Sequence, residues 1–175
     1  MLDRNQFDLV DNEIGQATDA PNSITAFINE AHAFMNGFDG CKSVRHIYCA
    51  EAWDGILGVF YVEIEPSDAG DPEALWCVAG DIPPAIRFVE DFDSPHGVLS
   101  DYVDAMQEWI DTVCGGGSVD ECPPVCFRAS HREMEPTMHN ANSLQSRIDF
   151  IRENLLPEIV DDADQPGGMD ASPAV

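Results

Sequence analysis

Apolar residues recur along this chain with two periods, one helical and one alternating, and the changes between them divide it into elements. Ile24, Phe27, Ile28, Ala31, Phe34 and Met35 fall at helical spacing between Ser23, a capping residue, and Gly37, an exit. This predicts a helix over 24–36. Val44 to Trp53 and Ile56 to Glu65 are β-rich runs joined by Asp54-Gly55, a dipeptide suited to a tight hairpin turn. Phe60, Val62 and Ile64 would face inward and Tyr61, Glu63 and Glu65 outward, giving a one-sided sheet with an acidic outer edge. After a polar loop over 66–72, Ala74–Ala79 and Ala85–Val89 read as two further strands, separated by a stiff Gly80-Asp81-Ile82-Pro83-Pro84 connection.

Ser94-Pro95 is a helix start, a hydroxyl cap followed by proline at the first helical position. The apolar stripe Leu99, Val103, Met106, Ile110 and Val113 carries that helix to about Val113, where Gly115-Gly116-Gly117 stops it. The next 25 or so residues read as loop. Asn142 with Gln145 three positions on opens a last helix bearing Leu144, Ile148, Ile151 and Leu155 and closed by Pro157. The expected organisation is a loose lead-in over 1–20, one domain over 21–157 and a disordered acidic tail over 158–175. The expected class is α+β, a four-stranded, largely antiparallel sheet with helices packed on one face. Within it, Trp76-Cys77-Val78-Ala79-Gly80-Asp81-Ile82-Pro83 resembles a WxVxGDxP pattern of small uncharacterised bacterial domains, a resemblance that implies no activity.

Charge changes the picture most. Of 175 residues, 33 are acidic and 8 basic, a formal charge of -25. Such a surface repels phosphate, which argues against nucleic acid and anionic membranes as partners and favours a basic protein. The excess is not confined to the ends. Residues 61–111 carry -12, with Arg87 as the only base. On the helix after Ser94, Asp101, Asp104, Glu108 and Asp111 fall within a sector of about 80° opposite the apolar stripe. Like charges at this spacing destabilise a helix by about 0.2–0.5 kcal/mol per pair, so local stability does not select the ridge. Glu63, Glu65, Asp68, Asp71 and Glu73 form a second acidic cluster, and Glu90, Asp91 and Asp93 a third. Affinity would also need an aromatic anchor, for which Tyr61, Trp76 and Tyr102 are the candidates, Trp76 reading first as core.

The longest apolar run, Gly55 to Val62, is too short to span a bilayer, and six cysteines without a secretory signal suggest reduced thiols in the cytoplasm. Cys114, Cys122, Cys126 and His131 offer zinc-compatible ligands within 18 residues, but without the two-residue spacers of a zinc knuckle. His131, Glu135 and His139 recur every fourth residue, with Pro136 breaking the helix that would align them. The acidic clusters do not fit a calcium loop, and no nucleophile, P-loop or dinucleotide fingerprint is present. The expectation is a non-enzymatic binding protein of immunity or inhibitor type, without a cofactor, neutralising a basic partner such as a toxin or nuclease. The alternatives are a zinc-stabilised module or metal-dependent enzyme built on the 114–139 loop, and a housekeeping domain with a salt-adapted surface.

Overall fold

The computed structural model describes residues 7–9, 22–68, 70–127 and 130–159. Strands β1 (Asp8–Leu9), β2 (Cys41–Trp53), β3 (Leu57–Pro66), β4 (Glu73–Gly80) and β5 (Ile82–Phe88) lie in chain order, each antiparallel to the next. Tight reversals produce this meander. Gly55 takes a φ of 74° in the β2–β3 turn, the left-handed conformation that the Asp-Gly dipeptide foretells. At the β4–β5 turn Gly80 has a φ of 150°, and a Cβ there would lie 2.4 Å from the Ile56 carbonyl oxygen. The next backbone N–H, of Asp81, donates to that same carbonyl at 2.8 Å and ties the turn to the start of β3.

Pro83 and Pro84 belong to β5 itself rather than to a connection. β5 is an edge strand, so one of the two missing N–H groups faces away from β4, and the other falls at the irregularity between Val78 and Gly80 in the β4–β5 register. The two-residue β1 lies on the opposite edge, outside the four strands read from the sequence.

Among the described residues three α-helices complete the α+β fold: α1 (Asn22–Asn36), α2 (Pro95–Cys114) and α3 (Met138–Phe150). They divide between the faces of the sheet, where the sequence pattern suggested one covered face. Phe60, Val62, Ile64, Leu75 and Cys77 pack with Phe27, Ile28, Ala31, Phe34 and Met35 of α1. Leu57, Val59, Tyr61, Trp76 and Val78 pack on the other face with α2 and α3, through residues that include Leu99, Tyr102, Met106, Leu144 and Ile148. Burial on both faces explains the nearly continuous apolar run of β3, which an alternating pattern would not give. Only beyond Tyr61 does alternation return: Glu63 and Glu65 are half-buried while Val62 and Ile64 are buried.

At the start of α2 the Ser94 hydroxyl accepts the Gly97 N–H at 3.1 Å, and its far end is capped by the Gly115 N–H donating to the Asp111 carbonyl. Helix α1 begins at Asn22, so Ser23 lies inside its first turn. Helix α3 starts four residues earlier than Asn142, capped by Thr137, whose hydroxyl accepts the Asn140 N–H. Exposed Met138, His139 and Asn142 hid that first turn from the apolar pattern. The chain continues through a π-turn over 151–155 and a 3-10 turn over 156–158. The expected lead-in is described only at Phe7–Leu9, and the rest of it, like the tail beyond Ile159, lies outside the described residues. Among the described residues no helix is long and apolar enough to cross a membrane.

Candidate functional site

Past Tyr61, on the face of the sheet that carries α2 and α3, acidic residues from three parts of the chain meet. Glu63 of β3, Glu73 of β4, and Glu90, Asp91 and Asp93 of the β5–α2 connection line one groove of about 880 Å³. Tyr61, Pro72, Ala74 and Val89 supply its less polar surface. Among the described residues Arg45 is its one basic residue, giving the described lining a formal charge of -4 at neutral pH. The antiparallel register makes this convergence. Glu63 sits opposite Ala74 and next to the Ile64–Glu73 pair, while the β4–β5 hairpin brings Val89 and Glu90 back beside the beginning of β4. Arg45 enters through an irregularity in β2 between Val44 and His46, and such a bulge re-aims a side chain in a way that strict alternation does not foresee.

Five of the twelve acidic residues singled out in the sequence therefore share one groove. The other seven do not line it. Glu65 is paired with Lys42 at 2.6 Å and accepts a longer bond from the Ser43 hydroxyl, and these contacts hold its carboxyl below the ordinary carboxylate value, the Lys42 hydrogen bond contributing most. Asp68 and Asp71 are exposed in the β3–β4 loop. Asp101 pairs with Arg87 of β5, which joins the first acid of the α2 ridge to the strand leading into the groove. Asp104, Glu108 and Asp111 continue along the exposed side of α2, where the Asp111 carboxylate accepts a bond from Gln107 at 2.9 Å.

The proposed anchors are placed differently. Tyr102 is fully buried and donates its hydroxyl to the Pro83 carbonyl at 3.0 Å, so it joins α2 to β5 and presents nothing to a partner. Burial raises its phenol above the ordinary value. Trp76 is also fully buried, with its indole N–H on the Phe92 carbonyl. Tyr61 is 8% exposed; it walls the groove but is not a projecting anchor. Its ring belongs to an aromatic row across the strands, 6.0 Å from Tyr48 and 5.5 Å from Trp76 between centroids. Phe7, which the sequence placed in a loose lead-in, lies on this row, 5.9 Å from Tyr61 and 5.6 Å from Trp76.

The four zinc-compatible residues do not converge. Cys114 is exposed at the end of α2, and the Cys122 thiol faces the Thr112 hydroxyl at 3.4 Å. Cys126 lies against the α1 side of the core, where burial first and Glu133 second raise its thiol above the ordinary value. His131 stacks on Phe34 and bonds its carbonyl oxygen. Among the described residues no group of three or more His, Cys, Asp or Glu is arranged to hold a metal ion. The loop acts instead as a strap. Val125 enters the core beside α2 and α3, Cys126 packs on the α1 side, and the two edges of the strap join through the Met134 N–H on the Val125 carbonyl and the Phe127 N–H on the Arg132 carbonyl.

The WxVxGDxP residues have structural places of their own. Trp76 and Val78 are core, Gly80 makes the turn, Asp81 pairs with Arg147 of α3 at 3.1 Å, and the Pro83 carbonyl receives Tyr102. No family model, no curated protein and no solved structure matches this chain.

Proposed function

We propose that this chain is a cytoplasmic, non-enzymatic binding protein whose acidic groove receives a cationic segment of a protein partner, in the manner of an immunity protein or inhibitor that occupies a basic substrate channel. The observation that carries the reading is the meeting of Glu63, Glu73, Glu90, Asp91 and Asp93 in one concave surface, against a single arginine among the described residues. Carboxylates gathered in a cleft with low-dielectric walls focus the field, raise the encounter rate with a basic partner and fix its register. Phosphate polymers and anionic lipid surfaces are disfavoured by the same field.

The test compares two sets of charge removals against hexa-arginine peptide and, in native extract, against co-purifying basic proteins. One set neutralises the groove (Glu63→Gln, Glu73→Gln, Glu90→Gln, Asp91→Asn, Asp93→Asn), and the other the exposed part of the α2 ridge (Asp104→Asn, Glu108→Gln, Asp111→Asn). The groove set is expected to lose at least about ten-fold in affinity, with a shallower salt dependence, while the ridge set loses only a few-fold. Equal losses per charge removed would mean that the acidity acts as a diffuse, salt-adapted surface and would overturn the reading.

A further inference from the structure

Helix α1 ends at the one Asn-Gly dipeptide of the chain, Asn36-Gly37. Asparagine before glycine deamidates readily, because no side chain on the second residue hinders its amide nitrogen from reaching the carboxamide carbon. A regular helix suppresses the reaction by holding that nitrogen in a hydrogen bond. Here the hold is weak. The Gly37 N–H is divided between the Ala33 carbonyl at 3.3 Å and the Phe34 carbonyl at 3.2 Å, at the long end of the usual range, and His131 Nε2 engages the same Phe34 oxygen at 2.6 Å. Asn36 and Gly37 are both exposed, and the last turn of a helix frays at small cost. A second group stands at the leaving end of the reaction. The Asn36 carboxamide nitrogen lies 3.1 Å from Nδ1 and 3.3 Å from Nε2 of His32, one helical turn back.

We propose that Asn36-Gly37 is a self-modification site: Asn36 deamidates in the folded protein, with His32 as proton donor to the departing nitrogen, and the product loosens the strap. Water is the only co-reactant. The Gly37 nitrogen gives its proton to solvent hydroxide and bonds to Asn36 Cγ; the Cγ–Nδ2 bond then breaks, and the nitrogen takes a proton from the His32 imidazolium and leaves as ammonia. The imidazole regains its proton from solvent. Water opens the cyclic imide at either carbonyl, giving aspartate or isoaspartate. Both products place a negative charge at the C-terminal end of α1, against the helix dipole. Isoaspartate also lengthens the main chain by one methylene directly before Gly37, over which the His131 ring sits so closely that a Cβ would lie 2.4 Å from Nε2. The floor under the ring is thereby moved relative to Phe34, on which the ring stacks.

The native protein, incubated near neutral pH in heavy-oxygen water beside the same chain unfolded in urea, is mapped by mass spectrometry to test this. The folded protein is expected to convert about ten-fold more slowly than the unfolded chain, the ratio that follows if the last turn is open in about one molecule in ten. No heavy oxygen at Asn36 by the time the unfolded chain is fully converted would overturn the inference. Asn36→Gln, whose longer side chain closes the ring far more slowly, should stay unlabelled at that position. His32→Gln should slow conversion several-fold in the folded variant and leave the unfolded chain unaffected, because the helix alone brings residues 32 and 36 together; an unchanged folded rate would overturn the part given to His32. The modified fraction, separated by anion exchange through its extra charge, should be cut by trypsin at Arg132 several-fold faster than the unmodified fraction. Equal cleavage would overturn the link to the strap.

Discussion

The His131 ring lies almost parallel to Phe34, 4.3 Å between centroids, and its Nε2 is 2.6 Å from the Phe34 carbonyl oxygen near the end of α1. One residue from the strap thus meets both the side chain and the backbone of the first helix. The cost is visible in the backbone: His131 has a φ of 52°, a left-handed conformation uncommon for a residue with a side chain. Room for the ring comes from Gly37, where a Cβ would lie 2.4 Å from His131 Nε2 and 2.5 Å from Cδ2. Gly37, foreseen only as a helix exit, is therefore also the floor under the strap.

Gly37→Ala is expected to push the ring off Phe34 at a cost of about 1–3 kcal/mol, the usual range for overpacking a filled contact. Denaturant unfolding measures the loss, and faster tryptic cleavage at the exposed Arg132 reports the loosened strap. Added to His131→Ala, the same glycine substitution should cost much less, because the clashing ring is gone. A double-mutant cycle isolates that coupling, and additive costs would show that the two residues do not constrain each other.

A second stabilising contact is the Tyr102 hydroxyl on the Pro83 carbonyl, buried between α2 and the edge strand. Tyr102→Phe keeps the ring and leaves that acceptor without its donor. The expected cost is about 1–3 kcal/mol in unfolding free energy, with no change in hexa-arginine binding because Tyr102 does not line the groove. A loss of binding in a variant of near-native stability would return Tyr102 to the surface role that its place beside the acidic ridge suggested.

The elements themselves were largely legible because their signals are local. Ser94-Pro95, Asp54-Gly55 and the stripe of α2 each act over a few residues, and each has its expected place in the fold. What sequence could not supply was the pairing between distant segments. Nothing local says that Leu57, Val59 and Tyr61 meet α2 while Phe60, Val62 and Ile64 meet α1, since a run buried on both faces carries no alternation to read. The same holds for the groove. The acidic clusters were recognisable as runs, but the β3–β4 and β4–β5 registers decide that Glu63, Glu73 and Glu90–Asp93 converge while Glu65 turns to Lys42. Arg45 and Phe7 had no signal at all, one redirected by a bulge and the other contributed by a short strand without an apolar pattern.

Thiol chemistry provides an independent check on the two-faced core. Cys77 is fully buried beneath α1, and burial, helped by the Glu30 charge, pushes its thiol up to about 12. Cys41 is also buried and raised by desolvation, whereas Cys114 stands exposed at the end of α2. Brief alkylation of the native protein near pH 8, read by mass spectrometry, should label Cys114 first and leave Cys77 and Cys41 untouched until the protein is unfolded. Early labelling of Cys77 would mean that α1 does not cover that face of the sheet.

Two carboxylates on neighbouring strands should respond to pH with opposite sign. Lys42 holds the Glu65 carboxyl below its ordinary value of 4.5, so its ionised form favours the folded state; that contribution is present above the ordinary value and disappears as pH falls through the lowered one. Glu51, opposite Val59 on β2, is raised from the same value by burial, so folding favours its protonated form. Its advantage is present below 4.5 and lost as pH rises through the raised value, leaving a buried charge as a burden near neutrality. Glu51→Gln should accordingly raise the urea midpoint at about pH 7 and lose that advantage at about pH 3, where the native glutamate is itself neutral. Glu65→Gln should lower the midpoint slightly near neutrality, the exposed pair with Lys42 being weak and sensitive to salt, and have no effect in acid. Shifts of the same sign in the two variants would show that general relief of the -25 charge, rather than the separate environments of β2 and β3, governs the acid response.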